Sequence, residues 1–171
     1  MTRSRPLGIL VAPLVPLVAL LAAGCGGGGT SKAAAKPAGG SSATVSVAST
    51  GLGKVLVDSH GRTLYLFAKD SGTKSRCSGG CATDWPPLRT RARPTAGGGA
   101  KASLLGTTPR SDGQPQVTYN GHPVYTYQGD GGAGQTNGQG ITAFGAAWYV
   151  LSPAGNEITA ATSSSGGGGG Y

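Results

Sequence analysis

Short apolar runs alternate with polar turns between residues 45 and 90, and the same arrangement returns between residues 110 and 162. Val45 to Val47 and Lys54 to Asp58 have the β-branched character of strands, and Arg62 to Ala68 returns after the turn Ser59-His60-Gly61. In the second half the corresponding turn is Asn120-Gly121, and both residues tolerate the positive φ that a type I′ hairpin demands. A two-residue loop there sets Tyr119 opposite His122 and Val117 opposite Val124. Without a gap, Val57 aligns with Val117, Gly61 with Gly121, Tyr65 with Tyr125, Phe67 with Tyr127 and Asp70 with Asp130, each pair sixty positions apart. One supersecondary unit is therefore expected to be used twice.

If the first hairpin shares the register of the second, Val55, Val57, Leu64 and Leu66 lie on one face and Leu56, Tyr65 and Phe67 on the other. Neither face is polar, so these strands are either covered on both sides or bury an aliphatic face and present an aromatic one. A tryptophan-led segment follows each hairpin. Trp148 to Leu151 reads as a third strand, whereas Pro86 and Pro87 lack amide donors and make Trp85 to Leu88 an edge or a non-strand. Gly129 to Gly140 reads as a mobile surface loop and Ile158 to Ala160 as a last short strand. The expected fold is all-β, with two tandem hairpin-plus-strand repeats in one small antiparallel sheet or sandwich-like domain. The first repeat is placed at 45–90 and the second at 110–162, with a basic Pro/Gly-rich linker at 91–109.

The two ends change the picture. Arg3 and Arg5, then an apolar run from Leu7 to Leu21, then Leu21-Ala22-Ala23-Gly24-Cys25, form the three parts of a lipoprotein signal peptide at 1–24, with Cys25 as the lipidated residue. Ala22 departs from the more usual Leu or Val of that motif, and ordinary secretion or an uncleaved anchor are the alternatives. Residues 25–44 hold no large apolar side chain after Cys25 until the chain reaches Val45, so they read as a flexible Gly/Ala/Ser tether with a random-coil span of roughly 25 Å. Residues 163–171 read as a disordered tail. The expected location is the extracytoplasmic side of a bacterial cell membrane, reached through the N-terminal lipid.

The formal charge of +8 falls to about +6 once Arg3 and Arg5 are removed with the signal. That balance favours an anionic membrane surface, a wall polymer or another envelope protein as partner. Nucleic acid is not expected, because the Lys and Arg residues are spread thinly and no stacking platform is interleaved with them.

Candidate chemistry is sparse. Cys77 and Cys81 lie in Cys-Ser-Gly-Gly-Cys, and outside the membrane such a pair is expected as a disulfide, a local staple of about 2 kcal/mol. A redox-active pair or a metal ligand set are the alternatives, and His60 and His122 are the only histidines that could join one. No metal site and no cofactor are expected. Asp70 and Asp130 end the second strand of each hairpin; paired carboxylates can act as acid and base, but one per repeat is also what a duplicated turn cap looks like. The Gly129 to Gly140 loop lacks the lysine and the following helix of a phosphate loop, and no nucleophile elbow is present. Tyr65, Phe67, Tyr125 and Tyr127 are expected as core, with an exposed glycan- or polymer-binding platform as the alternative, and Trp85 and Trp148 as structural aromatics.

Tyr65-Leu-Phe67-Ala-Lys-Asp70 and Tyr125-Thr-Tyr127-Gln-Gly-Asp130 form a doubled Y-x-[FWY]-x-x-D. Together with Cys77-x-x-x-Cys81-x-x-x-Trp85-Pro-Pro-Leu88 and the glycine-rich loop before Trp148-Tyr149, it resembles the bacterial lipoproteins called "secreted repeat of unknown function", over about residues 50 to 155. The resemblance implies a repeated, lipid-anchored envelope domain and leaves its role open. A non-catalytic binding or structural module is the leading expectation; a redox or metal-handling accessory using Cys77 and Cys81 is the alternative, and an enzyme comes third.

Overall fold

The structure, a computed structural model, describes residues 41–159. The signal segment with Cys25, the tether up to residue 40 and the 163–171 tail lie outside the described residues.

The domain is built of strands in three small sheets, mostly antiparallel, with almost no helix. β1 (Thr44–Thr50) turns tightly into β2 (Gly53–Asp58), pairing Val47 with Leu56 and Ala48 with Val55. β3 (Tyr65–Phe67) follows, then a one-turn helix α1 (Gly80–Asp84) that carries Cys81. β4 (Thr95–Ala96) lies parallel to the start of β1. A 3-10 turn (Ala102–Leu104) leads into β5 (Leu105–Thr108), which pairs with β6 (Gln116–Tyr119), and β6 turns at Asn120-Gly121 into β7 (His122–Pro123). β8 (Thr142–Ala143) and β9 (Ala146–Val150) form the last hairpin, after which Leu151 bridges Glu157.

Residues 91–109, expected as a linker, carry regular structure of their own. They supply β4, the 3-10 turn and β5; the Val47 amide donates to the Gly98 carbonyl and the Gly97 amide to the Val45 carbonyl. The stretch escapes detection in the sequence because two- and four-residue strands carry no readable period.

The second hairpin has the register its Asn-Gly turn dictates, with Tyr119 opposite His122 and the Val124 amide donating to the Val117 carbonyl. The first hairpin is different: Val57 bridges Thr63, and the Leu64 amide donates to Leu56. It holds one more residue in its turn. Asp58 is the cause, since its Oδ1 accepts the amides of His60 (2.8 Å) and Arg62 (3.0 Å), while Gly61 takes a positive φ of 76°. The gapless pairing of Val57 with Val117 therefore fails in space, and Leu56 occupies the place of Val117. Because side chains alternate, that one-residue slip moves Val55 and Val57 to the same side as Tyr65 and Phe67.

Both faces are covered. One cluster gathers Val55, Val57, Tyr65, Phe67, Tyr125, Trp85, Trp148 and the two cysteines, and the other Val45, Leu56, Leu64, Leu66, Val117, Tyr119, Val124 and Leu151.

Candidate functional site

The repeats exchange their strands. β3 of the first repeat pairs with β9 of the second, Tyr65 opposite Val150 and Phe67 opposite Trp148, while Tyr125 of the second repeat bridges Pro87 of the first. Proline has no amide to give, but here the Pro86 carbonyl accepts from Thr126, so the segment needs only its acceptors. At the centre Tyr65 and Tyr125 exchange both backbone hydrogen bonds with each other (2.8 and 3.0 Å). This is the pseudo-twofold axis.

The side chains cross in the same way. The Tyr65 hydroxyl donates to Asp130 Oδ2 (2.7 Å) and the Tyr125 hydroxyl to Asp70 Oδ2 (2.8 Å), so the tyrosine of each motif is bound by the aspartate of the other. Each aspartate also caps the loop behind it, Asp70 accepting the amide of Arg76 (2.7 Å) and Asp130 that of Asn137 (2.9 Å). Burial raises both carboxyls above the usual carboxylate range, against the pull of these donors. Burial, with a carboxylate beside each hydroxyl, likewise pushes Tyr65 and Tyr125 well above the ordinary tyrosine range. Each aspartate thus holds the tyrosine of the other repeat and caps its own loop.

Around the axis the large rings form a continuous pile. Phe67 stacks on Trp148 (centroids 4.1 Å apart), Trp148 on Trp85 (3.9 Å) and Trp85 on Tyr127 (4.1 Å), with Tyr65 and Tyr125 meeting the two indoles edge-on. The pile alternates between repeats at its outer contacts. Tyr65, Phe67, Tyr125 and both tryptophans are buried and Tyr127 is half-buried, so these rings are core rather than a display platform. Gly138 closes over it, since a Cβ there would lie 2.8 Å from the Trp85 ring. Residues 129–140 are accordingly not a mobile loop: Gly134 bonds Gly61, Gly138 bonds the Tyr65 hydroxyl, and the Gln135 carbonyl accepts from Thr63 (2.6 Å).

Cys77 and Cys81 form a disulfide with Cα atoms 5.3 Å apart, and both are buried against the aromatic cluster. The histidines are not brought together with it. His60 sits exposed on the first turn, 3.7 Å from Asp58, and His122 opens β7. Among the described residues no group of three or more His, Cys, Asp or Glu side chains is placed to hold a metal ion.

Two features have no counterpart in the sequence reading. Arg110, its side chain 3% exposed, donates to Ser75 Oγ (2.8 Å), Gln116 Oε1 (2.7 Å), the Cys77 carbonyl (2.8 Å) and Asp112 (2.8 Å), tying the second repeat to the disulfide loop of the first. Its only local signal is the Arg110-Ser-Asp112 turn. The other feature is a surface cleft of about 490 Å³ lined by Arg91, Arg93, Pro94 and the β5 residues Leu105 to Thr107. The sequence holds no sign of it, because its two walls lie more than ten positions apart along the chain.

The sequence profile of a family described as a secreted repeat of unknown function matches residues 46–89 and again 106–152, together more than half of the chain. The two matches coincide with the two halves of the pseudo-twofold. Comparison with curated proteins and with solved structures gave no match.

Proposed function

The chain belongs to the family of secreted repeats of unknown function, and on that premise we propose that it is a lipid-anchored, non-catalytic envelope module that binds other envelope components. The crossed Tyr65–Asp130 and Tyr125–Asp70 pairs carry this reading. The motif that defines the repeat holds the two halves together; its carboxylates are occupied by the protein's own hydroxyls and amides. With the disulfide also packed into the core, the chemistry-bearing residues singled out in the sequence act as construction, and interaction falls to the surface. Supporting the anchor are Arg3, Arg5, the apolar run and the Leu-Ala-Ala-Gly-Cys sequence ending at Cys25. Acylation of Cys25 is tested by Cys25→Ala: the variant is expected to accumulate as an unprocessed precursor or to appear in the medium. A Cys25→Ala protein that still fractionates with membrane at the mature size refutes the anchor.

A further inference from the structure

Arg89, Arg91 and Arg93 alternate along one segment, yet only Arg89 is neutralised, by Asp112 Oδ2 at 3.0 Å. Among the described residues no hydrogen bond or ion pair engages the guanidinium of Arg91 or Arg93. The chain has six acids, and four of them are committed elsewhere: Asp58 to Arg62, Asp70 to Tyr125, Asp112 to Arg89 and Arg110, and Asp130 to Tyr65. No acid lines the cleft.

The backbone that carries these arginines is fixed. Thr90 Oγ1 donates to the Ala92 carbonyl (2.6 Å) and its amide to Pro115 (3.0 Å); Ser42 Oγ donates to the Arg93 carbonyl (2.6 Å), and the Arg91 amide to Ser41 (3.2 Å). Two cations are therefore presented from a preorganised frame, which lowers the entropy lost when a ligand arrives. The opposite wall is β5, the edge strand of its sheet, whose outward backbone groups are not paired with a neighbouring strand. A second hollow of about 390 Å³ shares Arg93 and Pro94 with the first and is lined further by Thr95, Ala96 and Ala102. Arg93 thus borders both hollows, so this arginine-bearing face offers more than one seat for an anionic group.

A guanidinium fork matches the paired oxygens of a phosphodiester, and two such forks beside edge-strand amides suit a chain of them. We infer that the Arg91/Arg93 groove binds the phosphodiester backbone of a linear anionic envelope polymer. This names the ligand class for the module proposed above and rests on that reading. Phospholipid headgroups carry the same chemistry, but two hollows that share Arg93 and hold no acid favour a ligand with several phosphates in line over a single headgroup.

The test uses the full chain in a neutral detergent, titrated with soluble poly(glycerol phosphate) and, separately, with neutral dextran. Arg91→Gln with Arg93→Gln is expected to weaken polymer binding about tenfold or more. Lys54→Gln with Lys74→Gln removes the same charge elsewhere and is expected to change it less than about threefold. Both arginines are exposed and unbonded at their guanidinia, so the variant should keep its melting midpoint. Equal losses in the two double variants would reduce the binding to net charge and overturn the proposal, as would equal binding of dextran. Arginine-dependent binding to phosphatidylglycerol vesicles over phosphatidylcholine vesicles, with none to the polymer, would assign the groove to lipid and overturn the polymer. The polymer titrations do not depend on acylation, and the vesicle arm is read as the difference between the unaltered chain and Arg91→Gln with Arg93→Gln, so a failed anchor, seen by fractionation of Cys25→Ala, is distinct from a failed groove.

Discussion

Phe144 stands at φ 57° on the two-residue turn between β8 and β9, with its ring 43% exposed. The two-residue turn between β6 and β7 puts Asn120 in the same role, at φ 48°. A phenylalanine in that left-handed region costs about 1–2 kcal/mol, whereas asparagine adopts it readily. Phe144→Asn is therefore expected to raise stability by about 1 kcal/mol in urea melts, and an unchanged or lowered midpoint would contradict this. The same scale holds the pH response. Burial, the largest influence on both, raises Asp70 and Asp130 above the ordinary aspartate value in the folded chain. A raised folded pKa means that the native state holds the proton more tightly, so the stability these groups contribute is fully present below the unfolded value. It is lost as pH rises through the folded one. The Tyr125 hydroxyl works against that shift at Asp70, because it donates to the charged carboxylate. In Tyr125→Phe the Asp70 pKa should rise further, and the drop in stability from a pH below the ordinary aspartate value to neutral pH should exceed that of the unaltered chain. Melts at the two pH values decide it; an equal drop in both proteins would show that the hydroxyl does not tune Asp70.

At the scale of elements, the first hairpin is decided by one side chain. Asp58 is 3% exposed, caps two amides and meets Arg62 Nη2 at 2.7 Å, and that cluster holds the extra residue in the turn. Asp58→Ala removes both amide caps and the paired contacts of the Arg62 guanidinium at once, and is expected to cost about 2–3 kcal/mol. A loss below about 0.5 kcal/mol in urea melts, the range of ordinary surface changes, would mean that the slipped register is held by the strands alone. This hairpin also marks how far the sequence could be read. Asn120-Gly121 declares its own turn geometry, and the sixty-residue spacing declares the duplication, because both are local or additive signals. Asp58 occupies the place of Thr118 in the gapless alignment, and nothing in the spacing reveals that its carboxylate captures the turn. Strand exchange was equally hidden: alternation tells which residues face inward, but the choice of β9 rather than its own repeat as the partner of β3 rests on contacts more than eighty positions away. For the same reason the motif's aromatic and acidic residues were legible as a set, while their crossed pairing and the Arg91/Arg93 groove were not.

For the whole molecule, exchange means that neither repeat owns a complete core. The Leu64 carbonyl of the first hairpin accepts from Leu151 and the Val124 carbonyl of the second from Leu88, so each hairpin is closed by a segment of the other repeat. The Phe67–Trp148 and Tyr127–Trp85 stacks and both Tyr–Asp pairs repeat the crossing in side chains. Burying such rings against each other contributes several kcal/mol per truncated side chain, far more than the roughly 2 kcal/mol expected of a short disulfide loop. Covalent continuity of the chain should then matter less than the interlock. Gly113 lies on an exposed turn at φ 111° with open space where a Cβ would stand, so a protease site inserted after it should leave the fold intact. After cleavage there, the two fragments are expected to elute together as one species of unchanged size and to keep the signature of their buried, stacked indoles in near-ultraviolet circular dichroism. They should part only in denaturant. Residues 41–90 expressed alone should lack that signature, because Tyr125, Tyr127 and Trp148 are missing from their pile. Two separately folded fragments that elute independently after cleavage would refute the interlock and return the chain to two autonomous repeats in tandem.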